Sequence, residues 1–250
     1  MLTSERHQLI LQMIKEQGVV KIQELVDATQ ASESTIRRDL TVLEEEKLLK
    51  RVHGGAAKLH GMIIEQSMPE KYSQNLDGKQ KIAKYAASLV EAGDCIYLDA
   101  GSTVKEMIEY LPEKDLVVVT NGLMHVEQLL DKGIRVYVIG GYAKAATRAL
   151  AGGSALASLE QYHFDKCFLG ANGIHPIHGF TTPDPEEAVV KKKALSISRE
   201  TFFLADHTKF GEISFANITD LKKITIITDE LDEDIVDLYK DKTTVKVVSA

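Results

Sequence analysis

The sequence that decides the N-terminal fold is Ser34-Thr35-Ile36-Arg37-Arg38-Asp39-Leu40-Thr41, followed shortly by Lys50-Arg51-Val52-His53-Gly54-Gly55-Ala56. Apolar residues recur every three to four positions in the first stretch, continue to Leu43 and predict a helix over about 33–47. The second stretch predicts a strand, a Gly-Gly turn and a second strand. A helix with two adjacent arginines on its polar face, followed by a basic hairpin, is typical of a winged helix-turn-helix.

Two further helices are predicted before this one. The first spans about 4–17, is capped by Thr3 or Ser4 and ends at Gly18. The second spans about 21–29, and its apolar side chains also recur at helical spacing. Because only a short turn separates the second helix from the third, the N-terminal fold class is an α+β winged helix-turn-helix.

The polar face of the third helix and the hairpin predict contacts with DNA. Hydroxyls near a helix N-terminus can bind phosphates, and arginines can reach guanine edges or phosphate oxygens. A solvated face, in which these cations pair with Glu44, Glu45 and Glu46, is the alternative, but the position in the last helix before a basic hairpin favours DNA. The candidate DNA-binding residues are Ser34, Thr35, Arg37, Arg38, Thr41, Lys50, Arg51 and His53.

The charge distribution limits the kind of nucleic-acid partner. The chain carries 30 Lys and Arg against 37 Asp and Glu, and the net charge of -7 excludes a histone-like coat protein. Residues 1–60 contain nine residues of each sign, so the whole acidic surplus belongs to residues 61–250. This balance disfavours a nonspecific nucleic-acid binder and is compatible with a sequence-specific one.

The composition indicates a globular protein of the cytoplasm. The sequence of 250 residues is 44% apolar and 27% charged, which is ordinary for a folded chain. No apolar run approaches the roughly 18 residues of a membrane span, and the first residues lack the layout of a signal peptide. Cys95 and Cys167 lie in strand-like segments and fit a reducing compartment. We therefore expect a cytoplasmic protein with no membrane partner.

A change of pattern along the chain predicts two domains. Residues 1–60 form the winged helix-turn-helix DNA-binding domain. Residues 61–78 show no clear period and predict a linker with at most a short helix. Residues 79–250 alternate short β-branched runs with helical stretches, which predicts an α/β domain with an open sheet.

The first β/α unit of the second domain carries a phosphate-binding pattern. The buried-strand pattern of residues 94–100 runs directly into Gly101-Ser102-Thr103 and a helix. Such a turn offers N–H groups, two hydroxyls and a helix N-terminus to a phosphate, although ordinary turns can have the same composition. Other predicted strands also end in Gly, Thr and Asn. Because the carboxyl ends of parallel strands meet at one edge, the sequence predicts a ligand crevice there.

The candidate ligand-binding residues follow the predicted strands. They are Asp99, Gly101, Ser102, Thr103, Thr120, Asn121, Gly140, Gly141, Gly170, Asn172, Asp206 and Lys209. The segment Lys191–Lys193 is predicted instead to be a solvated helix face. His175 and His178 have no carboxylate or thiol pattern nearby, so no metal site is predicted. The sequence has no nucleophile elbow, P-loop lysine or dinucleotide-binding pattern, and no catalytic residue is assigned.

These motifs resemble the DeoR family of bacterial transcriptional regulators. The resemblance rests on Thr-Ile-Arg-Arg-Asp-Leu at 35–40 joined to Arg-Val-His-Gly-Gly-Ala at 51–56, and continues at 98–103, 168–173 and 206–211. It covers essentially the whole chain. It implies that the third helix reads the major groove. It also implies that the second domain is similar to ribose-5-phosphate isomerase and senses a sugar-phosphate effector.

Residues 31–35, 179–185 and 211–215 look most like the members of this family that control fructose operons. This similarity implies fructose 1-phosphate as the effector and no other cofactor. One departure is Val104, where many relatives carry Thr, so one side-chain donor to the phosphate is lost.

The favoured hypothesis is therefore a DNA-binding repressor of a sugar-utilisation operon, with fructose as the favoured sugar. Its expected partners are double-stranded operator DNA and the sugar phosphate. A homo-oligomer, dimer or tetramer, is also expected, because half-sites one turn apart require paired recognition helices. The alternative is a sugar-phosphate isomerase-like enzyme with an attached DNA-binding arm, since Asp, Glu and Lys at the crevice can transfer protons.

Overall fold

The computed structural model describes residues 1–46, 48–52, 54–57, 61–63, 65–112 and 115–248. The chain divides into two compact units, Met1–Gly61 and Met62–Ala250. Most of the segment 61–78 lies in the second unit, where it contains a short helix whose first residue, Met68, is buried.

The N-terminal unit is a winged helix-turn-helix, as predicted. Its elements in chain order are α1 Thr3–Gln17, β1 Val19–Lys21, α2 Ile22–Thr29, α3 Glu33–Glu45, β2 Lys50–Val52 and β3 Gly55–Ala57. The three strands form an antiparallel sheet in the order β1-β3-β2. The apolar faces of the helices meet in one core, in which Ile10, Leu25, Ile36 and Leu40 are fully buried.

The start of α1 differs from its prediction. The cap residue is Leu2, and neither Thr3 nor Ser4 caps the helix. The backbone N–H of Leu2 donates to Glu5 Oε2 at 2.8 Å. A carboxylate in the first turn therefore contacts the chain at the helix start and also suits the positive end of the helix dipole.

Strand β1 is a feature that the sequence did not predict. It occupies three of the four residues between α1 and α2 and pairs with β3 of the wing, the hairpin formed by β2 and β3. Gly55 permits the approach, because a Cβ atom on it would lie 2.2 Å from the carbonyl oxygen of Val20. The base of the wing is thus tied to the helices by backbone hydrogen bonds.

The C-terminal unit is an open α/β sheet, as predicted. Its helices are α4 Met68–Ser73, α5 Leu76–Ser88, α6 Ser102–Tyr110, α7 Leu123–Asp131, α8 Gly153–Leu159, α9 Pro185–Ser196 and α10 Glu233–Asp237. Its strands are β4 Cys95–Leu98, β5 Val117–Thr120, β6 Arg135–Val138, β7 Tyr142–Ala143, β8 Leu150–Ala151, β9 Phe164–Leu169, β10 Gly173–His175, β11 Gly179–Thr182, β12 Ser198–Leu204, β13 Ala216–Thr219, β14 Thr225–Thr228 and β15 Thr244–Val247. A 3-10 turn, His207–Lys209, follows β12. Among the described helices, none combines the length and apolar character needed to cross a membrane.

Seven parallel strands form the main sheet, in the order β15-β14-β12-β9-β4-β5-β6. From β4 the chain proceeds outward through β5 and β6, whereas the later strands are added on the other side. The order therefore reverses between β4 and β9, and the crevice beyond the carboxyl ends at such a point is the usual ligand site of an open α/β sheet. Strands β10, β11 and β13 form a small antiparallel sheet, and β7 and β8 form a hairpin.

Both faces of the main sheet are covered, because alternate side chains enter different cores. In β9, Cys167 and Leu169 belong to one buried cluster and Phe168 to the other. Burial on both faces explains why these strands are continuous apolar runs in the sequence.

The two edge strands of the main sheet present different side chains. Strand β15 exposes Thr244 and Lys246, and Lys246 Nζ lies 5.2 Å from the ring centroid of Tyr85. Strand β6 leaves Tyr137 and Val138 exposed by 45% and 41%. Lys246 protects the β15 edge against pairing with a further strand, whereas the last two residues of β6 expose large and mostly apolar side chains.

Candidate functional site

The predicted DNA-contacting hydroxyls lie at the start of α3. Ser32 caps this helix, and its Oγ accepts a hydrogen bond from the Thr35 N–H at 3.2 Å. The hydroxyls of Ser34 and Thr35 lie 2.9 and 2.8 Å from the same Oγ. The three hydroxyls form a polar cluster where free N–H groups and the helix dipole favour an anion.

The two arginines of α3 have different surroundings. Arg37 donates from Nε and Nη2 to Glu33 Oε1 at 2.9 and 2.7 Å. These side chains are 53% and 56% exposed, so the pair is weak. Arg38 is exposed and forms no hydrogen bond or ion pair with the residues that the structure describes. The guanidinium of Arg38 thus has no partner among the described residues, whereas Nε and Nη2 of Arg37 are engaged by Glu33.

The wing and the third helix share one surface. Arg51 Nη1 donates to Thr41 Oγ1 at 3.0 Å, and the Arg51 N–H donates to Glu44 Oε1 at 2.7 Å. Lys50, beside it on β2, is half-buried, and His53 lies outside the described residues. The predicted DNA-binding residues that the structure describes therefore lie on α3 and β2. The side chain of Arg51 links these two elements. Glu44 anchors the wing strand.

A buried ion pair holds α3 against α1. Asp39, which is 5% exposed, accepts from Arg6 Nε at 2.5 Å and Nη2 at 3.0 Å and lies 3.2 Å from His7 Nε2. Burial alone would raise the pKa of Asp39, but the bonds from Arg6 and His7 outweigh burial and lower the pKa. Asp39 therefore stays ionised and fixes the helix that carries the two arginines.

A cavity in the C-terminal unit lies beyond the carboxyl ends of β4, β9 and β12, where the strand order reverses. Eight predicted ligand-binding residues line it: Asp99, Gly101, Ser102, Thr103, Gly170, Asn172, Asp206 and Lys209. Sequence reasoning missed several others: Met68, Lys71, Gln74, Lys79, Thr147, Glu187 and Lys191. The cavity thus combines four lysines with three carboxylates and the start of a helix.

The helix that opens into the cavity is α6. Gly101 is its cap residue, and Ser102 and Thr103 begin the helix with exposures of 8% and 6%. No described side chain caps this helix, so the N–H groups of its first turn are available to a ligand. Val104 is fully buried in the core. The turn therefore offers backbone donors and two hydroxyls, the arrangement that binds phosphate at a helix N-terminus.

Lys191 lies in the cavity, which corrects its prediction as part of a solvated face. Its ammonium pairs with Asp99 Oδ2, which also accepts from the Gly170 N–H at 3.0 Å. Lys191 and Asp99 are 5% and 1% exposed. Helix α9 turns Lys191 inward together with Glu187, one turn earlier, whereas Lys192 is exposed as predicted.

Lys79 gives the cavity a buried cation that the sequence pattern did not reveal. It lies in the first turn of α5, is 3% exposed and donates to the carbonyl of Lys71. Burial lowers the pKa of Lys79, and the carboxylate of Asp206 opposes this shift. Lys209 also lines the cavity. Neither Lys79 nor Lys209 forms an ion pair with a described carboxylate, so both cations suit an anionic ligand.

A hairpin closes one side of the cavity. Lys144 Nζ lies 2.5 Å from both Asp184 Oδ2 and Glu187 Oε1. Thr147 donates to Glu187 Oε1 at 2.8 Å. Burial lowers the pKa of Lys144, but the charge of Glu187 and the bonds to both acids outweigh it and raise the pKa. The β7–β8 hairpin is thereby tied to the start of α9.

Four predicted ligand-binding residues lie outside the cavity lining: Thr120, Asn121, Gly140 and Gly141. Thr120 Oγ1 donates to the Leu98 carbonyl at 2.6 Å, and Asn121 Oδ1 accepts from the Ala100 N–H at 2.9 Å. The two glycines follow β6, where Gly141 has a φ of 126°. Because β5 and β6 lie away from the point where the strand order reverses, their ends do not reach the cavity. Asn121 instead supports the end of β4 through its bond with the Ala100 N–H.

One group of side chains of metal-ligand type occurs among the described residues, formed by His207, Asp229 and Glu230. Asp229 already accepts from Asn75 Nδ2 at 2.7 Å and from the His207 N–H at 2.8 Å. Burial would raise the pKa of Asp229, but the bonds from Asn75 and His207 lower it. These contacts make Asp229 a structural link between the 3-10 turn and the start of α5.

A winged helix-turn-helix followed by an α/β unit with a lysine-lined cavity defines the class: a two-domain DNA-binding transcriptional regulator. Residues 6–61 match the DeoR-like helix-turn-helix domain, and residues 74–230 match the DeoR C terminal sensor domain. The chain therefore belongs to the DeoR family.

Relatives of the chain are named as transcriptional regulators. It is 56% identical over 249 residues to the uncharacterized HTH-type transcriptional regulator FruR of Bacillus subtilis, covering 99% of each chain. It is 36% identical over 235 residues to the HTH-type transcriptional repressor GlcR of the same organism, covering 92% of this chain and 90% of the relative. It is 34% identical over 241 residues to a lactose phosphotransferase system repressor of Staphylococcus aureus, covering 94% and 96%.

Similar solved structures include ribose 5-phosphate isomerase A from Methanocaldococcus jannaschii, with a TM-score of 0.42 and 21% identity over 55% of each chain. Another is eIF2B delta from Chaetomium thermophilum, with a TM-score of 0.46 and 20% identity over 62% of this chain and 56% of that one.

Proposed function

We propose that this protein represses a sugar-utilisation operon, with fructose as the favoured sugar, and that fructose 1-phosphate sets its affinity for the operator. The observation that carries the proposal is the cavity in which Lys79 and Lys209 accompany the uncapped start of α6. Ammonium groups beside free N–H groups favour a phosphate. The 56% identity to a regulator named FruR supports fructose, and the repressor names of two further relatives support repression.

Other residues of the cavity suit the hydroxyls of the sugar. Asp99, Asn172 and Glu187 supply carboxylate and amide oxygens, and Lys191 supplies a donor. Asp99 and Glu187 already accept internal bonds, but each carboxylate has further lone pairs for a hydroxyl. These residues would therefore select the sugar, while α6 and the lysines hold its phosphate.

The same acidic groups define the alternative, an isomerase-like enzyme. Asp99 is held by Lys191 and Gly170, and Glu187 is held by Lys144 and Thr147, which supports a role in orienting the ligand over a role in proton transfer. We therefore propose a regulator without catalysis and without a cofactor. Incubation of the purified protein with fructose 1-phosphate or ribose 5-phosphate tests this, and detectable turnover would overturn it.

On the DNA side, α3 would enter the major groove of the operator. Arg38 and Arg37 would contact base edges or phosphates, and Ser34 and Thr35 would bind a phosphate at the helix start. Lys50 and Arg51 would lie along the backbone. The protein would act in the cytoplasm, where the bacterial operator is found.

We also propose that two copies pair through the β6 edge of the main sheet. The Ile139 N–H donates toward β5, to the Thr120 carbonyl, so by alternation the Val138 N–H and C=O point away from the sheet. Six large side chains on α7, β6 and β7 are between 40% and 58% exposed: Leu123, Met124, Leu130, Tyr137, Val138 and Tyr142. Exposed apolar side chains near the pairing edge would add to the roughly 800 Å² that each partner gives to a stable interface.

The experiment that tests the function measures release from DNA. Fluorescence anisotropy would follow the protein on DNA from upstream of its own gene while fructose, fructose 1-phosphate, fructose 6-phosphate, glucose 6-phosphate and ribose 5-phosphate are added separately. Fructose 1-phosphate should release the DNA, and unphosphorylated fructose should not. The Ser102→Ala, Thr103→Ala double variant should bind the same DNA and lose the response. If no sugar phosphate changes DNA affinity, the proposal is wrong.

A further inference from the structure

The first residues of the C-terminal unit form one wall of the ligand cavity. Met68, Lys71 and Gln74, on and just after α4, line it. The Met68 N–H donates to the carbonyl of Ala146, in the hairpin that closes the cavity, at 3.2 Å. Only six residues, 62–67, separate Met68 from Gly61, the last residue of the N-terminal unit. The wall of the cavity is therefore also the stretch of chain that leads to the DNA-binding unit.

One carboxylate holds this wall to the sheet. Glu65 Oε1 accepts from Lys71 Nζ and, at 3.2 Å, from Asn172 Nδ2. Asn172 follows β9, and its Oδ1 accepts from Thr182 Oγ1 at 3.1 Å, which directs the amide N–H groups toward Glu65. Both partners of Glu65 are lining residues of the cavity.

The carboxylate of Glu65 is incompletely bonded. Its side chain is 11% exposed, and its second oxygen, Oε2, is buried with no hydrogen-bond partner among the described residues. A buried oxygen without a donor weakens the attachment of the group that carries it. The contact between Glu65 and the cavity is therefore one that a better anion can replace.

We propose that Glu65 competes with the anionic group of the effector for Lys71 and Asn172, so that ligand binding releases the segment containing Glu65. This inference rests on the proposed function, because it requires an anionic ligand in the cavity. Two anions cannot share one lysine without mutual repulsion, so the bound state disfavours the Glu65 contact. A ligand shifts such an equilibrium by its difference in affinity for the two states, and displacement of Glu65 supplies that difference.

Lys79 reinforces the same coupling. Its ammonium lines the cavity and donates to the carbonyl of Lys71 in α4. A phosphate at the start of α6 attracts this ammonium and thereby competes with the bond to α4. Ligand binding thus weakens two attachments of the segment, one through Glu65 and one through Lys79.

The test compares ligand binding to two full-length variants by calorimetry, with fructose 1-phosphate and inorganic phosphate as separate probes. Glu65→Gln removes the competing charge and should bind either probe at least about fivefold more tightly than wild type, the lower end of usual coupling between sites. Glu160→Gln removes the same charge from an exposed position outside the cavity and should bind like wild type. Equal or weaker binding by Glu65→Gln overturns the inference.

Hydrogen exchange of the wild-type protein provides a test that needs no variant. Either probe should speed exchange of the backbone amides in residues 66–73 while protecting those at the start of α6. Slower exchange in both residues 66–73 and the start of α6 would overturn the proposal that ligand binding releases the wall. If phosphate binds and fructose 1-phosphate does not, the proposed effector is wrong and the Glu65 inference is decided by phosphate alone. If neither binds, both proposals fail.

Discussion

Arg6 of α1 and Asp39 of α3 form an ion pair inside the N-terminal unit, with Arg6 Nε 2.5 Å from Asp39 Oδ2. Asp39 directly follows the exposed Arg38, and its own side chain is buried on the other side of the helix. One helix thus presents cations to solvent and is anchored by an anion. The stability of the unit and the position of its arginines therefore depend on the same contact.

Asp39→Asn should lower the free energy of unfolding of the N-terminal unit by about 3 kcal/mol, because the Arg6 charge loses its counter-ion. Urea unfolding followed by circular dichroism measures this loss, and operator affinity should fall with it. Glu33→Gln removes the exposed partner of Arg37 and, as the control, should cost less than about 1 kcal/mol. Equal losses in the two variants would show that Asp39 is not an anchor.

The same pair should make the N-terminal unit sensitive to acid. The folded pKa of Asp39 lies below its ordinary value of 3.8, so its stabilisation is complete above that value and is lost as the pH falls through the folded pKa. The difference in urea midpoint between wild type and Asp39→Asn should therefore shrink as the pH falls below about 4. A difference that grows as the pH falls below about 4 contradicts this linkage.

Arg38→Ala should weaken operator binding by about 1–3 kcal/mol if Arg38 reads a base, because it removes donors that reach a guanine edge. Anisotropy titrations with operator and random duplexes at several salt concentrations measure the effect. Lys15→Ala removes an exposed cation from α1 and is the control. If Arg38→Ala weakens both duplexes equally and reduces the salt slope by about one, Arg38 contacts a phosphate and not a base.

Lys79→Met should weaken fructose 1-phosphate binding by about tenfold or more, because a charge-assisted bond to the phosphate is lost. Methionine fills the space of the buried stem, and removal of a poorly solvated charge limits the cost to folding. Lys81→Met, on an exposed position of the same helix, should bind as wild type. Calorimetry measures the affinities, and unchanged binding by Lys79→Met would remove Lys79 from the phosphate site.

Val138→Lys should convert a dimer to a monomer, because it places a charge on the pairing edge of β6. Sedimentation equilibrium measures the molecular mass of each protein. Thr244→Lys places the same charge on the opposite edge, β15, and should leave the dimer intact. A wild-type monomer, or a dimer in Val138→Lys, contradicts pairing through β6.

Most of the N-terminal fold was predictable because its information is local. The helices follow from apolar spacing, and the wing follows from the Gly-Gly turn. Strand β1 was not predictable, since Val19 pairs with Ala57, which is distant in the sequence. A strand of three residues is too short to show a hydrophobic period, and its pairing partner is in place only once the wing has folded.

The cavity-lining residues that follow strands were predictable from the sequence, whereas most of those contributed by helices were not. Asp99, Gly170 and Asp206 follow parallel strands, whose carboxyl ends meet at one edge of the sheet. Lys79 comes from a helix whose rotation toward the cavity depends on tertiary packing. For Lys191 a signal existed, because it shares helical spacing with the buried Ala188 and Ala194, which places it on the inner face of α9.

The unequal edges of the main sheet also limit how large an assembly can grow. An edge that pairs by two-fold symmetry is consumed in the pairing, because the same strand serves as both halves of the joint. With Lys246 on β15, the opposite edge offers no second joint. If two copies pair through β6 as proposed, growth through the sheet stops at two subunits, whereas two pairing edges would build an open-ended fibre.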